Sequence, residues 1–174
     1  MKSLNSLILA ASFGASIAAI GADQPAVRTD QPAVRVEPSN LQGPRELQQQ
    51  TAKAAIQDYL DSWAVLGSAM SQNQPELLGK DFIGEAQDKL AATIKQQQIN
   101  GVRTVYQDKS HDVKIVFYSP DGLSIELTDT VQYDEQLFDH DKAIGSAHVR
   151  TRYLVVLTPT EVRWRVRIFQ AQPE

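Results

Sequence analysis

"ATIKQQQINGVRTVYQD", residues 92–108, contains the change of period that decides the fold. Before it, Phe82, Ala86, Leu90 and Ile94 recur every four residues, the spacing of a helix with one buried face. Asn100-Gly101 offers the left-handed stop that ends such a helix. From Val102 onward apolar and polar residues alternate, and Val, Ile, Tyr and Thr accumulate, as in strands with one face inside. Helices therefore come first and a sheet follows, which is the order of an α+β domain.

Toward the amino terminus, Gly43-Pro44 with Glu46 close behind marks a helix start. Leu47, Ala52, Ile56, Tyr59, Leu60, Trp63, Leu66 and Met70 then recur at threes and fours, opposite Gln49, Gln50, Lys53, Gln57 and Asp61. "SQNQPELLGKDF", residues 71–82, breaks that helix and allows a short helical turn at 75–78 with Asn73 as its cap. The next long helix starts near Asp81 or a few residues later, because Gly84 weakens its first turn.

Toward the carboxyl terminus the alternation predicts five strands, over residues 102–108, 111–119, 123–133, 147–157 and 162–170. "SPDG" (119–122) and "TPTE" (158–161) are turn sequences between them. The charged stretch "DEQLFDHDKAIGS" (134–146) reads as a long, mobile hairpin loop. The folded domain is expected over residues 44–172.

This order of elements resembles the nuclear transport factor 2-like superfamily, which includes the SnoaL-like and steroid-isomerase families. The features that carry the likeness are a long first helix with Tyr59-x-x-x-Trp63, a short second helix, a third ending in Asn100-Gly101, and a meander closing on "VRWRVRIFQ" (162–170). The resemblance implies a cone-shaped, curved antiparallel sheet packed on N-terminal helices. That fold serves enzymes, transport adaptors and extracytoplasmic interaction domains alike. Steroid isomerases use a first-helix tyrosine, an acid serving as base, and a strand aspartate. Tyr59 and Asp129 match two of these roles and Asp81 a third, although a helix start would turn Asp81 to solvent.

Asp129 lies in "LSIELTDTVQY" (123–133), where the parity that points Leu123, Ile125 and Leu127 inward does the same for Asp129, Val131 and Tyr133. A carboxyl group in an apolar cone has its pKa raised and can act as a general acid. A bulge at 128–130 would instead turn it outward, and a buried structural acid held by tyrosine or backbone donors is the third reading. Trp63, Phe82, Leu90, Phe117, Tyr153 and Trp164 are the expected lining of a pocket for a small apolar ligand, or simply core.

In the last strand, pairing through "TPTE" sets Val155 opposite Trp164 and Tyr153 opposite Val166. Arg150, Arg152, Arg163, Arg165 and Arg167, with Phe169, then share the other face. An unpaired buried arginine costs several kcal/mol, and a large apolar side chain gains about 1.5–3 kcal/mol on burial, so the arginines are expected outside. They form either a solvated face that deters edge pairing, or an interface for a second copy or another protein. Anionic lipid heads are a weaker option, and a membrane surface is not expected as a partner.

The first 22 residues have one lysine and then an apolar, small-residue run, the layout of a cleaved signal peptide, with an uncleaved anchor as the rival. A secreted or periplasmic location follows. Residues 23–43 carry DQPAVR twice, at 23–28 and 30–35, with several prolines, and read as a disordered linker. With the first 22 residues removed, 16 basic residues face 21 acidic ones, which gives no support to nucleic-acid binding. There is no cysteine, His111, His140 and His148 show no metal-ligand spacing, and no nucleophile elbow or phosphate loop occurs, so neither metal nor cofactor is expected. The reading that follows is a non-catalytic binding or interaction domain. Its competitor is an isomerase or dehydratase centred on Asp129.

Overall fold

The computed structural model describes residues 31–38, 41 and 45–172. The signal-peptide segment, most of the linker and Gly43-Pro44 lie outside the described residues. A short strand β1 (Ala33–Val36) leads to helix α1 (Gln49–Gln72), a 3₁₀ helix (Pro75–Lys80) and helix α2 (Gly84–Asn100). Strands β2 (Val102–Tyr118), β3 (Ile125–Asp139), β4 (Lys142–Pro159) and β5 (Trp164–Gln172) follow. α2 ends where the sequence predicts, on Gly101 (φ 70°), and α1 ends on Asn73 (φ 53°) within the expected break, because these residues tolerate the left-handed conformation that turns the chain. Asn73 does not cap the next helix. Its Nδ2 donates to the Val102 carbonyl at 2.8 Å and ties the end of α1 to the start of the sheet.

The sheet runs β1-β2-β3-β4-β5, with β1 parallel to β2 and every other pair antiparallel. It is curved and unclosed, with the helices against one face, so the architecture is the expected α+β cone. Four register shifts leave Lys109, Val116, Ile144 and Arg167 as extra residues in the ladders. Each bends its strand and increases local twist, and so curls the long sheet around α1. The concave face carries Val113, Ile115, Ile125, Leu127, Val131, Val155, Leu157 and Val166 onto Ile56, Tyr59, Trp63 and Leu66 of α1.

Three expectations are corrected. The stretch 134–146 is not a loop: β3 and β4 continue to a turn at His140, whose φ of 53° marks the reversal. The pairing continues through the charges there although the apolar alternation stops, because a hairpin arm wet on both faces needs no apolar pattern. The strands expected at 102–108 and 111–119 are one strand, since the Lys109 bulge absorbs the break in period without breaking the pairing. The linker is not wholly a tether, because its second repeat supplies β1.

The last hairpin also differs in register. Trp164 lies opposite Pro159 and Val166 opposite Leu157, because residues 160–163 form the turn rather than "TPTE" alone. Thr160 closes it, with Oγ1 donating to the Arg163 carbonyl at 2.7 Å. The Arg167 bulge then reverses parity, so Phe169 and Ala171 point inward and Ile168 outward. The free edge of β5 is covered by residues 81–83: Val166 N–H donates to the Asp81 carbonyl and Ile83 N–H to the Val166 carbonyl, at 2.8 and 2.9 Å.

Candidate functional site

α1 places Tyr59 and Trp63 one turn apart on its buried stripe, facing the middle of the sheet. β3 brings Asp129 beneath them by simple parity, with no bulge at 128–130. On β2, His111 has the same parity as Val113 and Ile115 and therefore also points inward. Tyr59 Oη donates to Asp129 Oδ2 at 2.8 Å, and His111 Nδ1 lies 2.6 Å from the same oxygen. Tyr59 and Asp129 are 0% exposed and His111 is 1% exposed. Asp108, brought inward by the Lys109 bulge, approaches His111 Nε2 at 3.9 Å, an ion-pair rather than a hydrogen-bond separation.

The surroundings are an aromatic box. Trp63 meets His111, Tyr133, Tyr153 and Phe169 at ring distances of 5.2 to 5.9 Å, and Phe169 stacks on Tyr153 at 4.3 Å. Burial by itself would lower the pKa of His111, but the carboxylates of Asp108 and Asp129 outweigh it and push the imidazole up to about 9. The ring is thus a cation at neutral pH, with its Nδ1 proton directed at Asp129. Burial, then the Asp129 charge, raises Tyr59 well above an ordinary phenol and keeps its proton in place. Asp129 Oδ1, Asp108 Oδ1 and Trp63 Nε1 are buried with no hydrogen-bond partner among the described residues.

The arrangement is an acid–base cluster of Tyr59, His111, Asp129 and Asp108, with a proton donor on His111 and another on Tyr59. The expected pairing of Tyr59 with Asp129 is present. The expected apolar setting of Asp129 is not, because two side chains donate to it. Trp63, Phe82 and Tyr153 are buried in the cone, and Leu90 and Trp164 pack half-buried against it. Phe117 is corrected: the Val116 bulge sets it opposite Glu126 on the outer face, 46% exposed. Asp81 is corrected too. It is 1% exposed and bound to Arg163, not turned to solvent, and it lies at the β5 edge rather than beside Asp129. In sequence His111 reads as one of three scattered histidines, although its alternation with Val113 and Ile115 is a legible signal. Asp108 carried none, since its direction depends on a bulge. Among the described residues no group of three His, Asp or Glu side chains is arranged to hold a metal ion.

The expected row of arginines divides. Arg163 Nη1 binds Asp81 Oδ1 at 2.5 Å, and Arg165 Nη2 donates to the carbonyls of Gly79 and Phe82, so both hold the 3₁₀ helix to the sheet edge. Arg167 is exposed at its bulge. Arg150 and Arg152 stand on the outer face, where Thr130, Leu154, Gln170 and Gln172 complete a concavity of about 600 Å³. Arg152 reaches Thr128 Oγ1 at 3.4 Å, and neither arginine has an ion-pair partner among the described residues.

No protein-family model matches the chain, and no curated protein matches it in sequence. Solved structures match its shape. The intermembrane space region of the chloroplast protein ARC6 superposes with a TM-score of 0.61 at 12% identity, over 75% of this chain and 100% of that one. A protein named for scytalone dehydratase from Novosphingobium aromaticivorans gives 0.51 at 11% identity, over 72% and 89% of the two chains. A protein of unknown function from Mycobacterium tuberculosis gives 0.50 at 13%, over 76% of each chain. At these identities the likeness is one of fold. The fold resembles that of the nuclear transport factor 2-like superfamily.

Proposed function

Starting from this nuclear transport factor 2-like fold, we propose that the chain is a secreted or periplasmic, non-catalytic interaction domain. Its polar centre braces the cone, and its working surface is the outer concavity around Arg150 and Arg152. The observation that carries the reading is the closure of the centre. Asp129, Tyr59 and His111 are at most 1% exposed, and Trp63, Tyr133, Tyr153 and Phe169 fill the space a substrate would need. Two guanidinium groups beside Leu154, with no carboxylate answering them among the described residues, suit a patch that another chain desolvates. A second copy is the simplest such partner.

Sedimentation of the protein beside an Arg150→Glu/Arg152→Glu variant tests the surface. Association in the parent that is lost in the variant is expected, and identical monomers in both samples would remove self-association through this face. Location is tested separately by a reporter enzyme that folds only outside the cytoplasm, fused after residue 174. A silent reporter would refute export.

A second reading, acid–base chemistry on a small molecule by His111, Asp129 and Tyr59, is favoured by the three polar atoms beside the cluster that have no partner among the described residues. Isomerisation of a small cyclic ketone that is abolished in His111→Gln supports it. Failure to turn over such ketones, or turnover that survives the substitution, sets it aside.

A further inference from the structure

The two copies of DQPAVR are seven residues apart, and residues 31–35 of the second fall among the described residues, where Ala33, Val34 and Arg35 begin β1. Ala33, Val34, Arg35 and Val36 pair in parallel with Ser110, His111, Asp112 and Val113. Beyond the strand, Glu37 N–H donates to the Val113 carbonyl at 2.8 Å, and the Glu37 carboxylate lies 3.7 Å from Lys114 Nζ. A shift of seven residues puts Ala26, Val27, Arg28, Thr29 and Asp30 in the places of Ala33, Val34, Arg35, Val36 and Glu37. Three residues are identical, one β-branched residue replaces another, and the acid that faces Lys114 is again an acid. Pro25 precedes Ala26 as Pro32 precedes Ala33, and both favour an extended entry.

β1 is also lightly held. All four of its residues are exposed, and Val34 and Val36 border an apolar groove of about 770 Å³ with Ala52, Ile56 and Leu60 of α1. The docked strand is therefore recognised by backbone hydrogen bonds, alternate side chains and one acid–lysine contact, which is how a sheet edge binds an added strand. The one difference inside the strand is Thr29 in the place of Val36, which weakens contact with the groove and makes the first copy the minor occupant.

We propose that the edge of β2 is a strand-docking site for the pattern Ala-Val-Arg-β-branched-acid, and that the first repeat of the same chain, residues 26–30, exchanges with β1 in it. Tethering in the same chain gives the first repeat a high effective concentration at the site. Each exchange moves the attachment point by seven residues, which alters the free length of the preceding chain by about 23 Å when extended. The duplicated motif thus provides two docking registers for one amino-terminal segment.

The chain has no cysteine, so engineered pairs report docking without background. Arg35→Cys with Asp112→Cys, an adjacent pair in β1 and β2, is the positive control and should form an intramolecular disulfide in the full chain. Arg28→Cys with Asp112→Cys should form the corresponding disulfide as a minor product. Its yield should rise several-fold when Arg35→Pro removes a backbone donor that strand alternation directs at β2. Val34→Asp replaces Arg35→Pro should that variant fold poorly, as judged by its circular dichroism. Absence of the Arg28 to Asp112 link in both backgrounds, with the control linked, would overturn the exchange. A link found only between two chains would overturn it as well.

Discussion

At the scale of single residues, the decisive group is His111. Its folded pKa of about 9 lies above the 6.5 of an ordinary histidine, so protonation stabilises the folded chain. That contribution is complete below pH 6.5 and disappears as pH rises through 9, and 2.5 pH units correspond to about 3 kcal/mol. Urea unfolding should therefore show lower stability at pH 9.5 than at pH 6, and His111→Gln should flatten the difference. Equal midpoints for the parent at the two pH values would contradict the buried cation. Asp129→Leu, which leaves that imidazole without its closest partner, should cost about 3–5 kcal/mol and bring the His111 pKa down, measurable from its ring protons by NMR. Tyr59→Phe is milder, with an expected loss of about 1–2 kcal/mol. Of this cluster, Asp129 and Tyr59 were legible from parity and helix spacing. His111 was equally inward by parity, but a titratable side chain does not announce a buried partner across 18 residues of chain.

At the scale of elements, the edge of β5 separates residues that look alike in sequence. Arg163, Arg165 and Arg167 alternate with apolar neighbours and read as one row, yet the first two close the seam to the 3₁₀ helix and the third sits on a bulge. Arg165→Ala would leave the carbonyls of Gly79 and Phe82 without their donor, so a loss of about 1–3 kcal/mol is expected. Arg167→Ala should stay within about 0.5 kcal/mol, as exposed substitutions do. Thermal unfolding of the two variants side by side checks this, and equal losses would mean that the seam is not held by Arg165. The local pattern could not divide the row, because a bulge is a property of two strands and the turn between them. The same limit misplaced Phe117 and Phe169, each of which stands next to an extra residue in its ladder.

At the scale of the whole molecule, the question is whether the cone is closed in solution. Trp63 is 4% exposed at its centre, while Trp164 lies half-buried at the rim. In a Trp164→Phe variant the remaining Trp63 fluorescence should resist quenching by acrylamide, with a quenching constant several-fold below that of Trp63→Phe. Ready quenching of Trp63 would show a cone that opens, and would move the balance from an interaction domain toward the acid–base reading. By itself, the sequence determined that helices precede an antiparallel sheet, and which residues of each element turn inward near its middle, Tyr59 and Asp129 among them. These follow from periods of 3.6 and two, which are written in neighbouring residues. Tertiary structure alone decided the hairpin register, the four bulges, the pairing of Arg163 with Asp81, the union of His111 with Asp129 and the docking of the second repeat as β1. Each of these depends on which distant backbone group lies across a ladder, and no local period encodes that choice.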